Sequence, residues 1–116
     1  MKTYKTLHAW QEAATLSREV ILLAVDSREP AFWQAFDQLK RASVSIRINI
    51  AEGYALGNRG SFRRHLEIAY GSAVESGELL DLLLELQADT ARIRSLRVRC
   101  ALTERLLLGL IRKLKR

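Results

Sequence analysis

Arg41-Ala42-Ser43-Val44-Ser45-Ile46-Arg47-Ile48-Asn49-Ile50-Ala51-Glu52-Gly53 reads as a helix with a polar stripe beside its apolar face. Arg41, Ser45, Asn49 and Glu52 are spaced i, i+4, i+8 and i+11, so they line one face. Ile46 and Ile50 lie on the neighbouring face, and Gly53 stands where a glycine would cap a helix C-terminus. Charge and amide beside a core face are the pattern of a buried or half-buried hydrogen-bond network. That narrows the fold to a helical bundle and names no chemistry.

The same periodicity extends in both directions. Phe32, Phe36, Leu39, Ser43, Ile46 and Ile50 alternate by four and three residues. Upstream, Leu7, Trp10, Ala14, Ser17, Ile21 and Ala24 give a first seam, and Pro30 breaks the chain after it. Downstream, Gly57-Asn58-Arg59-Gly60 carries the chemistry of a turn, and Ser61 is the expected cap of a third helix. Phe62, Leu66, Ala69, Ala73, Ser76, Leu80 and Leu83 form the third seam; Ile93, Leu96, Cys100, Thr103, Leu107, Leu110 and Leu114 form the fourth. The expected fold is all-α: one domain over residues 1–116, an antiparallel up-and-down four-helix bundle with helices at about 7–25, 31–55, 61–86 and 89–114.

The chain has 116 residues, one proline and one cysteine, which excludes an internal disulfide framework. Cys100 reads as a small core residue. No apolar run follows Lys2 and Lys5, and Leu79–Leu86 is interrupted by Asp81 and Glu85, so neither a secretory signal nor a membrane span is expected. The expected location is cytoplasmic. No glutamate is followed three residues later by histidine, and no nucleophile has a local catalytic partner. The expectation is therefore no metal, no cofactor, no catalytic residue and no enzymatic activity.

The formal net charge is +6. Residues 88–116 hold nine bases against two acids, a net of +7; residues 1–87 hold ten bases against eleven acids, a net of −1. Such asymmetry suggests an anionic partner, nucleic acid first. Arg94, Arg105, Arg112 and Arg116 share one face of helix four, and Arg59, Arg63 and Arg64 form a second cluster at the start of helix three. Helix four has no aromatic residue, so it carries no base-stacking platform.

Helices three and four carry more apolar residues than their seams need, among them Ile68, Val74, Leu79, Leu82, Val98 and Ile111. Self-association through these faces is expected. Gly71 and Gly77 imply a close neighbour such as Trp10. Glu75, between them, is the expected fourth member of a structural network with Arg41, Asn49 and Glu52. If Glu52 is buried there, its replacement by alanine would cost about 3 kcal/mol.

Leu7-x-x-Trp10-Gln11-x-Ala13, Arg41-Ala42-Ser43-Val44-Ser45-Ile46-x-x-Asn49-Ile50-Ala51-Glu52-Gly53 and Phe62-x-Arg64-x-Leu66-x-Ile68-Ala69-x-Gly71-Ser72-x-x-Glu75 occur in that order. They resemble the four-helix-bundle proteins encoded in intervening sequences of bacterial 23S ribosomal RNA genes. That family is similar in fold to the accessory proteins of diversity-generating retroelements, which bind a reverse transcriptase and nucleic acid. The resemblance implies a ring-shaped homopentamer with a basic surface. Arg47 stands where the family commonly has proline, so a straighter second helix is expected. Two functions follow as expectations: an accessory bundle that binds RNA or DNA, or a scaffold for a partner enzyme such as a polymerase or reverse transcriptase.

Overall fold

The computed structural model describes residues 3–86 and 88–116. Among these residues are four α-helices and no strand: α1 (His8–Asp26), α2 (Trp33–Ala55), α3 (Arg59–Glu85) and α4 (Thr90–Lys115). Short 3-10 turns occupy Tyr4–Thr6 and Pro30–Phe32. Each helix packs against its neighbour in sequence, and α4 closes the bundle against α1. The principal extents, 44 × 23 × 19 Å, fit aligned helix axes roughly 30 to 40 Å long.

The seams of α2, α3 and most of α4 are the buried ones, with Leu39, Ile46, Leu66, Leu80, Ile93 and Leu107 fully enclosed. α1 differs. Its buried residues are Ala9, Ala13, Ala14, Leu16, Ser17, Val20 and Leu23, while Ile21 is 40% exposed. Two apolar combs run along this helix, and the inward one starts with alanines. Small residues let α1 approach its neighbours closely; the bulkier comb faces outward. Leu79 and Ile111, read as surplus, also join the core.

Ser17, Ser43, Ser76 and Thr103 are buried hydroxyls. Each donates to a carbonyl three or four residues back, at 2.8–3.2 Å, so none requires a partner on another helix. Cys100 is buried as well, and its Sγ donates to the Ala73 carbonyl at 3.2 Å. Burial first, then the charge of Glu104 and of Asp81 against the opposing Arg97, pushes the thiol up to about 12. It stays protonated and unreactive at neutral pH.

The α2–α3 connection differs from the sequence expectation in two ways. α3 begins at Arg59, and its cap is Asn58, whose Oδ1 accepts the Ser61 backbone N–H at 2.8 Å. The glycine that ends α2 is Gly57, with φ +76°, not Gly53. Gly53 is buried inside α2, because a Cβ there would lie 2.6 Å from the Cβ of His65. Its missing side chain lets α3 approach the α2 backbone closely at this position.

The exposed large apolar residues are spread over all four helices. Ile21, Leu22 and Val25 lie on α1, Trp33 and Ile48 on α2, Ile68, Val74 and Leu82 on α3, and Val98 on α4, with Leu56 and Leu86 just past the ends of α2 and α3. The surplus is thus not confined to helices three and four.

Gly53→Ala and Gly71→Ala should have opposite effects. Gly71 is exposed with open space where a Cβ would go, so alanine should stabilise by roughly 0.5–1 kcal/mol. At Gly53 overpacking should destabilise by about 1–3 kcal/mol. Urea denaturation at fixed protein concentration measures both.

Candidate functional site

Two polar assemblies converge near the α2–α3 turn. The first lies along the seam between these helices. Asn49 Nδ2 donates to the Ser45 carbonyl at 2.9 Å and to Ser45 Oγ at 3.1 Å. That fixes the amide, so its Oδ1 faces His65 and accepts from Nδ1 at 3.0 Å. Ser45 and Ser72 share a hydrogen bond of 3.0 Å across the helices. Glu52 stands at the rim, its side chain 60% exposed and 3.9 Å from His65 Nδ1.

The expected network of Arg41, Asn49, Glu52 and Glu75 is therefore redrawn. Asn49 is its centre, and Ser72 and His65 supply the other helix. Arg41 and Glu75 are exposed, with no ion pair among the described residues. Equal spacing along α2 placed Arg41 in the stripe, but that end of the stripe rotates out to solvent. His65 carries no local signal, since only the α2–α3 register brings it to Asn49.

Other polar residues tie helices together. Arg47 Nη1 donates to Ser17 Oγ at 3.1 Å and to the Ala14 carbonyl at 3.5 Å, and its guanidinium lies 5.1 Å from the Trp10 ring centroid. α2 runs unbroken through this position. Trp10 thus lies under Arg47 and meets Tyr4 edge to face, and is not near Gly71 or Gly77. Gly77 instead leaves room for the Arg97 guanidinium, since a Cβ would lie 3.1 Å from Cζ. Arg97 donates to Asp81 at 3.0 Å and lies 3.9 Å from Glu104. Its pKa is raised: burial works against the charge, but the hydrogen bond and negative charge of Asp81 outweigh it.

The second assembly is electrostatic. α4 spends three of its first four arginines on internal pairs: Arg92 with Asp26 at 2.8 Å and Arg99 with Glu12 at 2.7 Å, besides Arg97. Arg94, Arg105, Arg112 and Arg116 are exposed, and no carboxylate lies within ion-pair distance among the described residues. Arg59 joins the two basic clusters of the sequence. Its Nε donates to the Leu114 carbonyl at 2.9 Å and one Nη to Lys113 at 2.9 Å and Arg116 at 3.4 Å. Arg59 thus closes the C-terminal end of α4.

That clamp brings α4's last turn, with Arg112, Lys113 and Lys115, and the following Arg116 beside the start of α3, whose second turn carries Arg63 and Arg64. Arg63 has only a long 3.9 Å contact with Glu67. Lys5 lies in the turn before α1 at this same end. Arg94 does not belong there, being about 27 Å along α4 from Arg112 at 1.5 Å per residue. The opposite end of the bundle carries Asp26, Glu29 and Asp89 around Arg28 and Arg92. The molecule is thus basic at one end and mixed to acidic at the other.

The model of the 23S rRNA-intervening sequence protein family matches residues 5–109. The chain belongs to that family. The match runs further than the motifs of residues 7–86 and takes in most of α4, but it stops short of Arg112–Arg116. The fold is similar to a solved protein of unknown function from the S23 ribosomal protein family of Bacteroides thetaiotaomicron, with a TM-score of 0.79 and 21% identity over 89% of this chain and 97% of that one. No curated protein is significantly similar to the chain. Among the described residues, no helix is long and apolar enough to cross a membrane.

The exposure of Glu52 changes what its replacement should do. Glu52→Ala should shift stability by less than about 0.5 kcal/mol, because no buried charge is stranded. Asn49→Ala leaves the half-buried His65 N–H without its acceptor and should cost about 1–3 kcal/mol. Thermal unfolding of both variants checks the order.

Proposed function

We propose that this protein is a non-enzymatic, oligomeric, cytoplasmic accessory protein that binds nucleic acid through the basic end of its bundle. The observation that carries this reading is the Arg59 clamp, which gathers otherwise unpaired cations of α3 and α4 at one place. Arginine suits phosphate, and cations free of internal carboxylates can release counterions on binding. Arg94 and Arg105 extend the surface along α4. Its reading as a non-enzyme rests on the inert Cys100 and on Asn49, which separates His65 from Ser45.

The exposed isoleucines, leucines and valines favour self-association, and the family resemblance makes five subunits the preferred number. A ring would present one basic end per subunit, and modest contacts would add by avidity. The same apolar residues support the alternative reading, a scaffold for a polymerase or reverse transcriptase without direct nucleic-acid contact.

Binding should be steeply salt-dependent, with a log–log slope of about −3 to −4 if four phosphates are neutralised. Reversal of Arg63, Arg64 and Arg112 to glutamate should abolish it with the fold intact, while Arg94→Glu should weaken it only slightly. Titration with duplex and structured RNA at two salt concentrations tests this. Binding that ignores salt and the triple reversal eliminates the reading and leaves the scaffold.

Light scattering in moderate salt should give about five times the chain mass. A stable monomer at micromolar concentration would exclude the ring.

A further inference from the structure

The α2–α3 turn opens into a cavity of about 380 Å³, within the size range of small-ligand sites. Its walls are Tyr54 and Phe62, with Gly53, Gly57, Asn58 and Arg59 around them. The two rings meet edge to face, centroids 5.8 Å apart and planes at 89°. Both are half-buried, and Phe62 is braced by the α2 backbone: a Cβ at Gly53 would lie 3.2 Å from its Cδ1. Gly57 contributes bare backbone with no heavy atom near its Cβ position, so one side of the cavity is open.

The polar groups here are fixed and mostly donors. Asn58 Oδ1 is taken by Ser61 N–H, leaving the side-chain amide nitrogen to donate. The Arg59 guanidinium is held in one plane by its bonds to the end of α4. Aromatic rings and arginine planes are the surfaces on which unstacked bases lie. Arg63 and Arg64 follow directly on α3 and would meet the adjoining phosphates.

We propose that this cavity receives one unpaired nucleobase, from a single-stranded end, loop or bulge whose phosphates lie on the basic end. This rests on the nucleic-acid reading above and adds a ligand class to it. A base inside a duplex has both faces covered by its neighbours and cannot enter the site.

The test compares two probes of equal charge: a short single-stranded oligonucleotide and a phosphodiester oligomer of the same length made of abasic units. The wild-type protein should bind the base-bearing strand roughly tenfold more tightly. Tyr54→Leu should remove that difference and leave abasic binding unchanged, with helicity and melting temperature reporting the fold. Tyr54→Trp should preserve the preference, and its fluorescence should be quenched by the base-bearing strand beyond any change in the wild type. Equal binding of both probes, unaffected by Tyr54→Leu, would overturn the base site while the phosphate reading stands. Failure of both probes to bind at low salt would overturn both.

Discussion

The approach of α2 to α3 at Gly53 governs the rest of the structure. With no side chain there, His65 packs directly against the α2 backbone. The register set at this point pairs Asn49 with His65 and Ser45 with Ser72. It also allows a connection of only Leu56, Gly57 and Asn58 between the helices. The positive φ of Gly57 and the Asn58 cap then aim the start of α3, and with it Arg59, at the end of α4. One missing Cβ thus links core packing to the position of the basic surface.

Charge is sorted along the bundle by what each arginine can reach. Arg92, Arg97 and Arg99 lie opposite acids of α1 and α3 and are consumed as interhelical ties. The last turn of α4 has no ion pair among the described residues, and cations there are favoured by the negative end of the helix dipole. Arg59 reinforces that end with direct bonds to its carbonyls. Arg63 and Arg64 lie one turn into α3, and among the described residues the long contact of Arg63 to Glu67 is their one ion pair.

Much of this was legible in the sequence. The four helices, the turn at Gly57 and the seams of α2, α3 and most of α4 follow from an apolar period of three and four. α1 misled because two apolar combs compete on it, and only the fit of Ala9 and Ala13 against neighbouring helices chooses between them. Asn49 was legible as a polar residue beside a core face; its partner His65 was not, since nothing local marks a contact set by the register of two helices. Arg41 and Glu75 have the right spacing on the wrong side of the seam. Arg47, in the place where proline is common, gave no hint that it would reach Ser17 and Trp10 on α1. The two basic clusters were each visible, but their meeting depends on antiparallel topology and on Arg59. Helix four has no aromatic, and only the fold brings Tyr54 and Phe62 to the same end as its last turn.

The central claim is that the free cations act together at the α2–α3 turn and the end of α4. Hydrogen exchange of the protein with and without a saturating structured RNA tests it most directly. The account predicts added protection at residues 54–64 and 110–116, and little change around Arg94–Val98. Protection centred on Arg94–Val98, or spread evenly over α4 with none at the turn, would contradict it.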